Sequence, residues 1–184
     1  MNSMNRIEID NLRFEPFIEY EQIKKRIRLM GIDINLKYRD TTPVFVGVLN
    51  GCFMFMADLM KEIQVPCEMS FLKLASYSGT EQGHISKLIG LGQDIKDRDV
   101  IIVEDVVDTG NSLKYTIDAL QAEGVRSISV CALLLKPDCL QYEFDNIDYV
   151  GFEIDKEFVI GYGLDYNGYF RNLKDIYKEV TLGN

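Results

Sequence analysis

The sequence predicts an α/β fold, a mainly parallel central sheet flanked by helices. Short apolar strand-like runs alternate with segments of helical spacing along the chain. The runs at 43–49, 99–104 and 127–135 are apolar almost throughout, as strands covered on both faces are. Two of them end in turn residues or acids, the usual ligand edge of such sheets. With 184 residues, 47% hydrophobic, the chain suits one domain with a single sizeable core.

Tyr20, Ile23, Ile27, Met30 and Ile34 recur at spacings of three and four, which predicts an amphipathic helix. Its basic cluster, Lys24, Lys25, Arg26 and Arg28, reads as a solvated face. Residues 43–49 (Pro-Val-Phe-Val-Gly-Val-Leu) form a buried strand, and Asn50-Gly51 a turn. Phe53, Met56, Ala57, Met60 and Ile63 then trace one helical face, with the methionines as core filler. Residues 67–74 are the next strand. The polar, glycine-bearing stretch 76–86 reads as a mobile loop, and 88–91 as a short strand end.

The strand at 99–104 leads into a helix lined by Leu113, Ile117 and Leu120, with Gly124 as its stop. Strands follow at 127–135, 148–152 and 158–162. This order implies parallel pairing through right-handed crossovers. Asn50-Gly51 and residues 104–112 then face one crevice.

A net charge of −9 argues against broad attraction to nucleic acid or an anionic membrane. Any anionic ligand must be held by local dipoles, a few cations and a divalent metal. The four cysteines form no C-x-x-C pair and there is one histidine, His84, so a zinc site is not expected. Cys52, Cys67 and Cys131 sit among apolar residues and read as buried thiols of a reducing compartment. No signal-peptide core and no membrane-length apolar run is visible, so a cytoplasmic protein is expected.

The chemistry concentrates in residues 100–113, Val-Ile-Ile-Val-Glu-Asp-Val-Val-Asp-Thr-Gly-Asn-Ser-Leu. Carboxylates at a buried strand end are costly to desolvate unless hydroxyls or a cation meet them. Glu104 and Asp105 suit two vicinal hydroxyls or a metal bound to them. The small polar residues 108–112 offer backbone N–H groups to a phosphate, with Thr109 and Ser112 hydroxyls as further donors. Asp108 lies beside that turn, placed to take a proton from a reacting base. Together they point to a ligand with both a phosphate and a sugar diol.

Residues 100–113 resemble the phosphoribosyl-pyrophosphate motif of the type I phosphoribosyltransferases. Ser76-Tyr77-Ser78-Gly79-Thr80 resembles the mobile catalytic loop of the hypoxanthine (hypoxanthine-guanine) branch. Leu134-Leu135-Lys136-Pro137 resembles its purine-contacting lysine segment. Residues 158–167 and Arg171-Asn172-Leu173 resemble its purine-stacking and pyrophosphate-binding tail. The segments follow in the family's order from about 44 to 173.

The resemblance implies a type I phosphoribosyltransferase fold in one domain, residues 1–184. Its core would cover roughly 40–140, with a small hood over the purine site from the N-terminal segment and roughly 141–184. It implies magnesium-dependent transfer of the phosphoribosyl group from phosphoribosyl pyrophosphate to a 6-oxopurine. Glu104 and Asp105 would handle the ribose hydroxyls and the metal shell. Asp108 would be the general base at purine N7. Val107, Asp108, Thr109, Gly110, Asn111 and Ser112 would form the 5′-phosphate cradle. Lys136 would donate to the 6-oxo group, Phe158 would stack on the base, and Val159 and Asp165 would border it. Asp165 would also meet a second magnesium ion. Leu49, Asn50, Gly51 and Arg171 would bind pyrophosphate; in the family this loop can carry a non-proline cis peptide, here between Leu49 and Asn50, which the sequence leaves open. Ser76 and Tyr77 would belong to a lid that excludes water, and His84 would be a bystander.

Many relatives carry lysine at the position of Asn50 and a basic residue at that of Asn111. The loss of two cations predicts weaker pyrophosphate affinity unless Lys73 or Arg171 compensates. A homodimer or homotetramer is expected by analogy. Two alternatives stay open at this point: a nucleotide-sensing regulator on the same fold, and an enzyme preferring xanthine.

Overall fold

A computed structural model describes residues 6–76, 85–89, 92 and 94–180. The chain opens with a hairpin, β1 (Ile7–Ile9) and β2 (Leu12–Ile18), joined by Asp10 and Asn11, both at positive φ. A two-residue left-handed turn matches the twist of its strands. Helix α1 (Tyr20–Lys37) follows. Its start is a capping box in which Gln22 Oε1 accepts from the Glu19 N–H at 3.0 Å. Ile23, Ile27, Met30 and Ile34 form its buried face, as their spacing predicts.

The main sheet holds six strands in the order β5-β4-β3-β6-β7-β8. These are β3 (Val44–Leu49), β4 (Glu68–Ser76), β5 (Ile85–Ile89), β6 (Asp99–Val107), β7 (Ser127–Leu135) and β8 (Ile147–Glu153). Five run parallel; β5 alone is antiparallel, paired with β4. Helices α2 (Phe53–Glu62) and α3 (Asn111–Ala122) complete the crossovers. One core, with Phe45, Ile101, Cys131 and Leu133, packs under α1 and α2; the other, with Val46, Ile102 and Val130, packs under α3. Buried β-branched side chains on both faces explain why β3, β6 and β7 read so clearly as strands.

A second, four-stranded sheet has the order β1-β2-β10-β9, with β9 (Val159–Ile160) and β10 (Ile176–Glu179). It joins the N-terminal hairpin to the C-terminal segment, as a hood requires. Strand β8 pairs with β7 in the main sheet, so the smaller sheet draws its C-terminal strands from beyond Glu153. Three expectations are corrected. The buried face of α2 is Phe55, Met56 and Leu59, while Phe53 is exposed. Nearly every residue from 53 to 60 is apolar except Asp58, so two helical registers were available and packing chose the other one. The strand expected at 158–162 shortens to Val159–Ile160, because Gly161, Tyr162 and Gly163 all take positive φ. Finally, strand β5 starts at Ile85, within the stretch expected to be loop.

Candidate active site

Parallel β3, β6 and β7 end on one edge, which gathers Leu49, residues 104–107 and Lys136. The peptide between Leu49 and Asn50 is cis, which the sequence left open. Gly51 then passes so close to Asp105 that a Cβ there would collide with its carboxylate. Cys52 lies beside the same two acids: burial first, then Asp105 and Glu104, raises its thiol pKa far above the ordinary range.

Glu104 is buried, and its Oε1 has no hydrogen-bond partner among the described residues. Burial and the neighbouring Asp105 push its carboxyl pKa well above the usual carboxylate range. Burial also raises that of Asp105, to about 6, against the lowering effect of its backbone N–H bonds and of Arg171. A buried acid beside a half-buried one, neither salt-bridged among the described residues, is a pairing that suits ligand hydroxyls or a metal. Among the described residues no three His, Cys, Asp or Glu side chains gather to hold a metal by themselves. A hard divalent ion here must bring further oxygens from a ligand and water, which suits magnesium.

Beyond β6 the chain turns through Asp108, Thr109 and Gly110 into α3. Gly110 is the N-cap at φ +83° and has no side chain with which to cap the helix, so first-turn N–H groups beyond that of Asn111 are available to an anion. Thr109 Oγ1 accepts from the Asn111 N–H at 3.4 Å. Gln141 N–H donates to the Thr109 carbonyl at 2.9 Å, and the Phe144 ring sits 2.7 Å from where a Gly110 Cβ would stand. The turn is therefore backed by residues 140–144. Asn111, which stands where a basic residue is common in the family, accepts from Tyr142 Oη at 2.9 Å. The position is thus filled by a neutral hydrogen-bond network.

Lys136 is buried, and its Nζ donates to Asp108 Oδ2 at 2.6 Å. Its backbone N–H donates to the Val107 carbonyl at 2.9 Å. An ammonium and a carboxylate thus stand side by side at the mouth of the crevice. Phe158, 40% exposed, is held edge-on by Tyr166, with ring centroids 6.1 Å apart, and flanked by buried Phe14 at 6.0 Å. Val159 is buried in β9.

Arg171 pairs with Asp165 (Nη2–Oδ1 2.6 Å) and donates from Nη1 to the Gly163 carbonyl at 2.7 Å. Gly163 packs onto the Gly51 carbonyl too closely for a Cβ. Gly51, Asp105, Asp165 and Arg171 are therefore one cluster. Ser76 closes β4 on the same edge, while Tyr77 and His84 lie outside the described residues. Lys73 stands opposite Leu49 in the β3–β4 register. Sequence reasoning missed Asp58, Tyr20 and Tyr162, which tie this cluster to α2, and Phe14 and Tyr166, which hold Phe158. Asp58, an i,i+3 partner of Lys61, carried no signal beyond that of a surface helix acid.

The phosphoribosyl transferase domain family matches residues 19–167. A hypoxanthine phosphoribosyltransferase of Salmonella typhimurium is 41% identical over 172 residues, spanning 91% of this chain and 96% of the relative. A hypoxanthine-guanine phosphoribosyltransferase of Bacillus subtilis is 37% identical over 158 residues, spanning 85% and 87%. A crystal structure of a hypoxanthine phosphoribosyltransferase from Staphylococcus aureus is similar at a TM-score of 0.84 and 35% identity, covering 89% of this chain and 90% of that one.

Proposed function

The chain belongs to the hypoxanthine phosphoribosyltransferases of the phosphoribosyl transferase family, and on that premise we propose how its residues divide the work. The reaction is purine salvage. The 5-phosphoribosyl group passes from phosphoribosyl pyrophosphate to N9 of hypoxanthine, and of guanine, releasing pyrophosphate.

The observation that carries the residue assignment is the Asp108–Lys136 pair. A 6-oxopurine protonated at N7 presents a donor beside an acceptor, the oxo group, along one edge. The carboxylate and the ammonium offer the matching acceptor and donor, so the purine edge replaces their mutual contact. Asp108 takes the N7 proton as N9 forms its bond to the ribose, and Lys136 donates to the oxo oxygen. Adenine would set its amino donor against the Lys136 ammonium and be rejected. Phe158 stacks on the base, and the Val159 backbone meets its edge.

The 5′-phosphate is assigned to the amides of 109–112, with the Thr109 and Ser112 hydroxyls, and Val107 and Asp108 flanking it. Asn111 contributes through its backbone. Glu104 and Asp105 accept hydrogen bonds from the ribose hydroxyls and would hold magnesium together with ligand oxygens. When bound, that ion neutralises the departing pyrophosphate. Leu49, Asn50, Gly51 and Arg171 orient the pyrophosphate. Both oxygens of Asp165 already accept hydrogen bonds, from Arg171 and from the Gly168 N–H, which favours a contact with a second metal through water. Ser76 and Tyr77 are assigned to a lid that keeps water from the cationic ribose carbon.

We assign the protein to the cytoplasm: Cys52 and Cys131 are free buried thiols, and no helix among the described residues is long and apolar enough to cross a membrane. Leu29, Ile32 and Leu36 leave an exposed apolar stripe on α1, which supports self-association as a dimer or tetramer.

The test is an assay of purified protein with phosphoribosyl pyrophosphate, magnesium and each of hypoxanthine, guanine, xanthine and adenine. IMP and GMP are expected, without AMP. Formation of AMP at a comparable rate would refute the Lys136 assignment.

A further inference from the structure

Gly161, Tyr162 and Gly163 take φ values of 92°, 49° and 102°. Glycine adopts this left-handed region freely, whereas a bulky side chain there is a genuine outlier that its surroundings must hold in place. The surroundings of Tyr162 do so. Its ring is completely buried. Its hydroxyl donates to Asp58 Oδ2 at 2.7 Å, and Tyr20 Oη donates to the same oxygen at 3.3 Å. Lys61 Nζ holds the other Asp58 oxygen at 2.7 Å. In the main chain, Tyr162 N–H donates to the Leu173 carbonyl and Gly163 N–H to the Arg171 carbonyl, both at 2.9 Å.

The two ends of this network matter for the reaction. Asp58 lies on α2, the helix that begins immediately after the 49–51 loop. Tyr162 begins the hairpin that carries Asp165 and Arg171, and the next residue, Gly163, rests on the Gly51 carbonyl. We propose that the Tyr162–Asp58 hydrogen bond is a bolt that fixes the Arg171 hairpin against the 49–51 loop. Tyr162 and Asp58 are thereby positioning residues for the sugar diphosphate. The inference rests on the assignment of Gly51 and Arg171 to pyrophosphate. Neither Asp58 nor Tyr162 is hydrogen-bonded to Asp108, Lys136 or Phe158, so the bolt acts on one substrate and not the other.

Tyr162→Phe keeps the buried ring and removes only the hydroxyl. The readouts are KM for each substrate, kcat, and calorimetric binding of magnesium pyrophosphate, which needs no turnover. A lost hydrogen bond to a charged acceptor predicts about a tenfold rise in KM for phosphoribosyl pyrophosphate and in the pyrophosphate Kd. KM for hypoxanthine and kcat at saturation should stay within about twofold, since uniform binding alone is lost. Asp58→Asn retains an oxygen acceptor for Tyr162 and should restore most of the affinity. If Tyr162→Phe fails to fold, Asp58→Ala, which breaks the bolt from the helix side, carries the same expectation.

Equal rises in both KM values, or unchanged pyrophosphate affinity in a folded bolt variant, would overturn the proposal. Arg171→Ala separates it from the reading beneath. Undiminished pyrophosphate binding in that variant would refute the pyrophosphate assignment itself. Loss there, with none in Tyr162→Phe, would refute the bolt alone.

Discussion

Glu104→Gln should make the ligand-free protein more stable and at the same time less able to respond to its substrate. Glu104 is 5% exposed, its Oε1 has no partner among the described residues, and Asp105 stands beside it. A buried polar atom left unpaired costs about 1–3 kcal/mol, and more when charged. The glutamine keeps the shape and cannot ionise, so at a pH where Glu104 is charged it removes the buried charge and its repulsion with Asp105, for a gain of about 2 kcal/mol. For a chain of this size that raises Tm by roughly 4–8 °C. The substrate works in the opposite sense. Phosphoribosyl pyrophosphate with magnesium at about 100 times its Kd stabilises the wild type by about 2.7 kcal/mol. The variant should lose most of that increment, because the carboxylate we propose for the ribose hydroxyls and the metal shell is gone. Differential scanning calorimetry with and without the ligand pair measures both effects. A lower Tm for the free variant, or an undiminished ligand-induced shift, would refute the reasoning that Glu104 is kept unpaired for the ligand.

Asp108→Asn should reduce turnover by about 10²–10⁴-fold while phosphoribosyl-pyrophosphate binding changes only a few-fold, measured by single-turnover kinetics and calorimetry. Gly110→Ala places a Cβ at φ +83° and 2.7 Å from the Phe144 ring; we expect about 2 kcal/mol of lost stability and weaker binding of the sugar phosphate, read by urea melts and calorimetry. Asp99 accepts from Arg126 Nε at 2.9 Å and from Ser127 Oγ at 2.7 Å, and the Arg126 hydrogen bond holds its carboxyl pKa below the ordinary value of 3.8 despite partial burial. Because the folded value lies below the unfolded one, this contribution is complete above about pH 4 and fades as pH falls through the folded value. Asp99→Asn should therefore cost about 1 kcal/mol at pH 7, a modest figure because Arg126 is largely exposed, and the gap from wild type should close toward pH 2. A gap independent of pH in urea melts would count against the ion pair.

The legibility of the sequence varied with how local the determining physics was. Residues 99–113 were readable because a β-branched strand, two acids and a small polar helix start lie consecutively in one segment. The buried face of α1 followed from a single apolar spacing. The face of α2 did not, since apolar residues fill both registers and the sheet beneath decides. The β1–β2 hairpin and β10 went unread: their strands are short or interrupted by Pro16, and their pairing joins opposite ends of the chain. Tyr162 looked like the end of a strand, although it takes positive φ and its hydroxyl donates to Asp58, 104 positions away. In the site, the acids and Lys136 were legible from local motifs and family resemblance. Their pairing across 28 positions, and the sharing of Arg171 between Asp165 and the Gly163 carbonyl, are properties of the folded edge alone.

The most direct test of the site as a single crevice is a crystal structure of the protein with IMP. The phosphate should sit on the amides of 109–112. The base should lie against Phe158, with Lys136 Nζ on the 6-oxo oxygen and the Asp108 contact to Lys136 opened toward N7. A phosphate bound away from the Thr109-Gly110 turn, or a base that leaves the Asp108–Lys136 pair closed, would contradict the account.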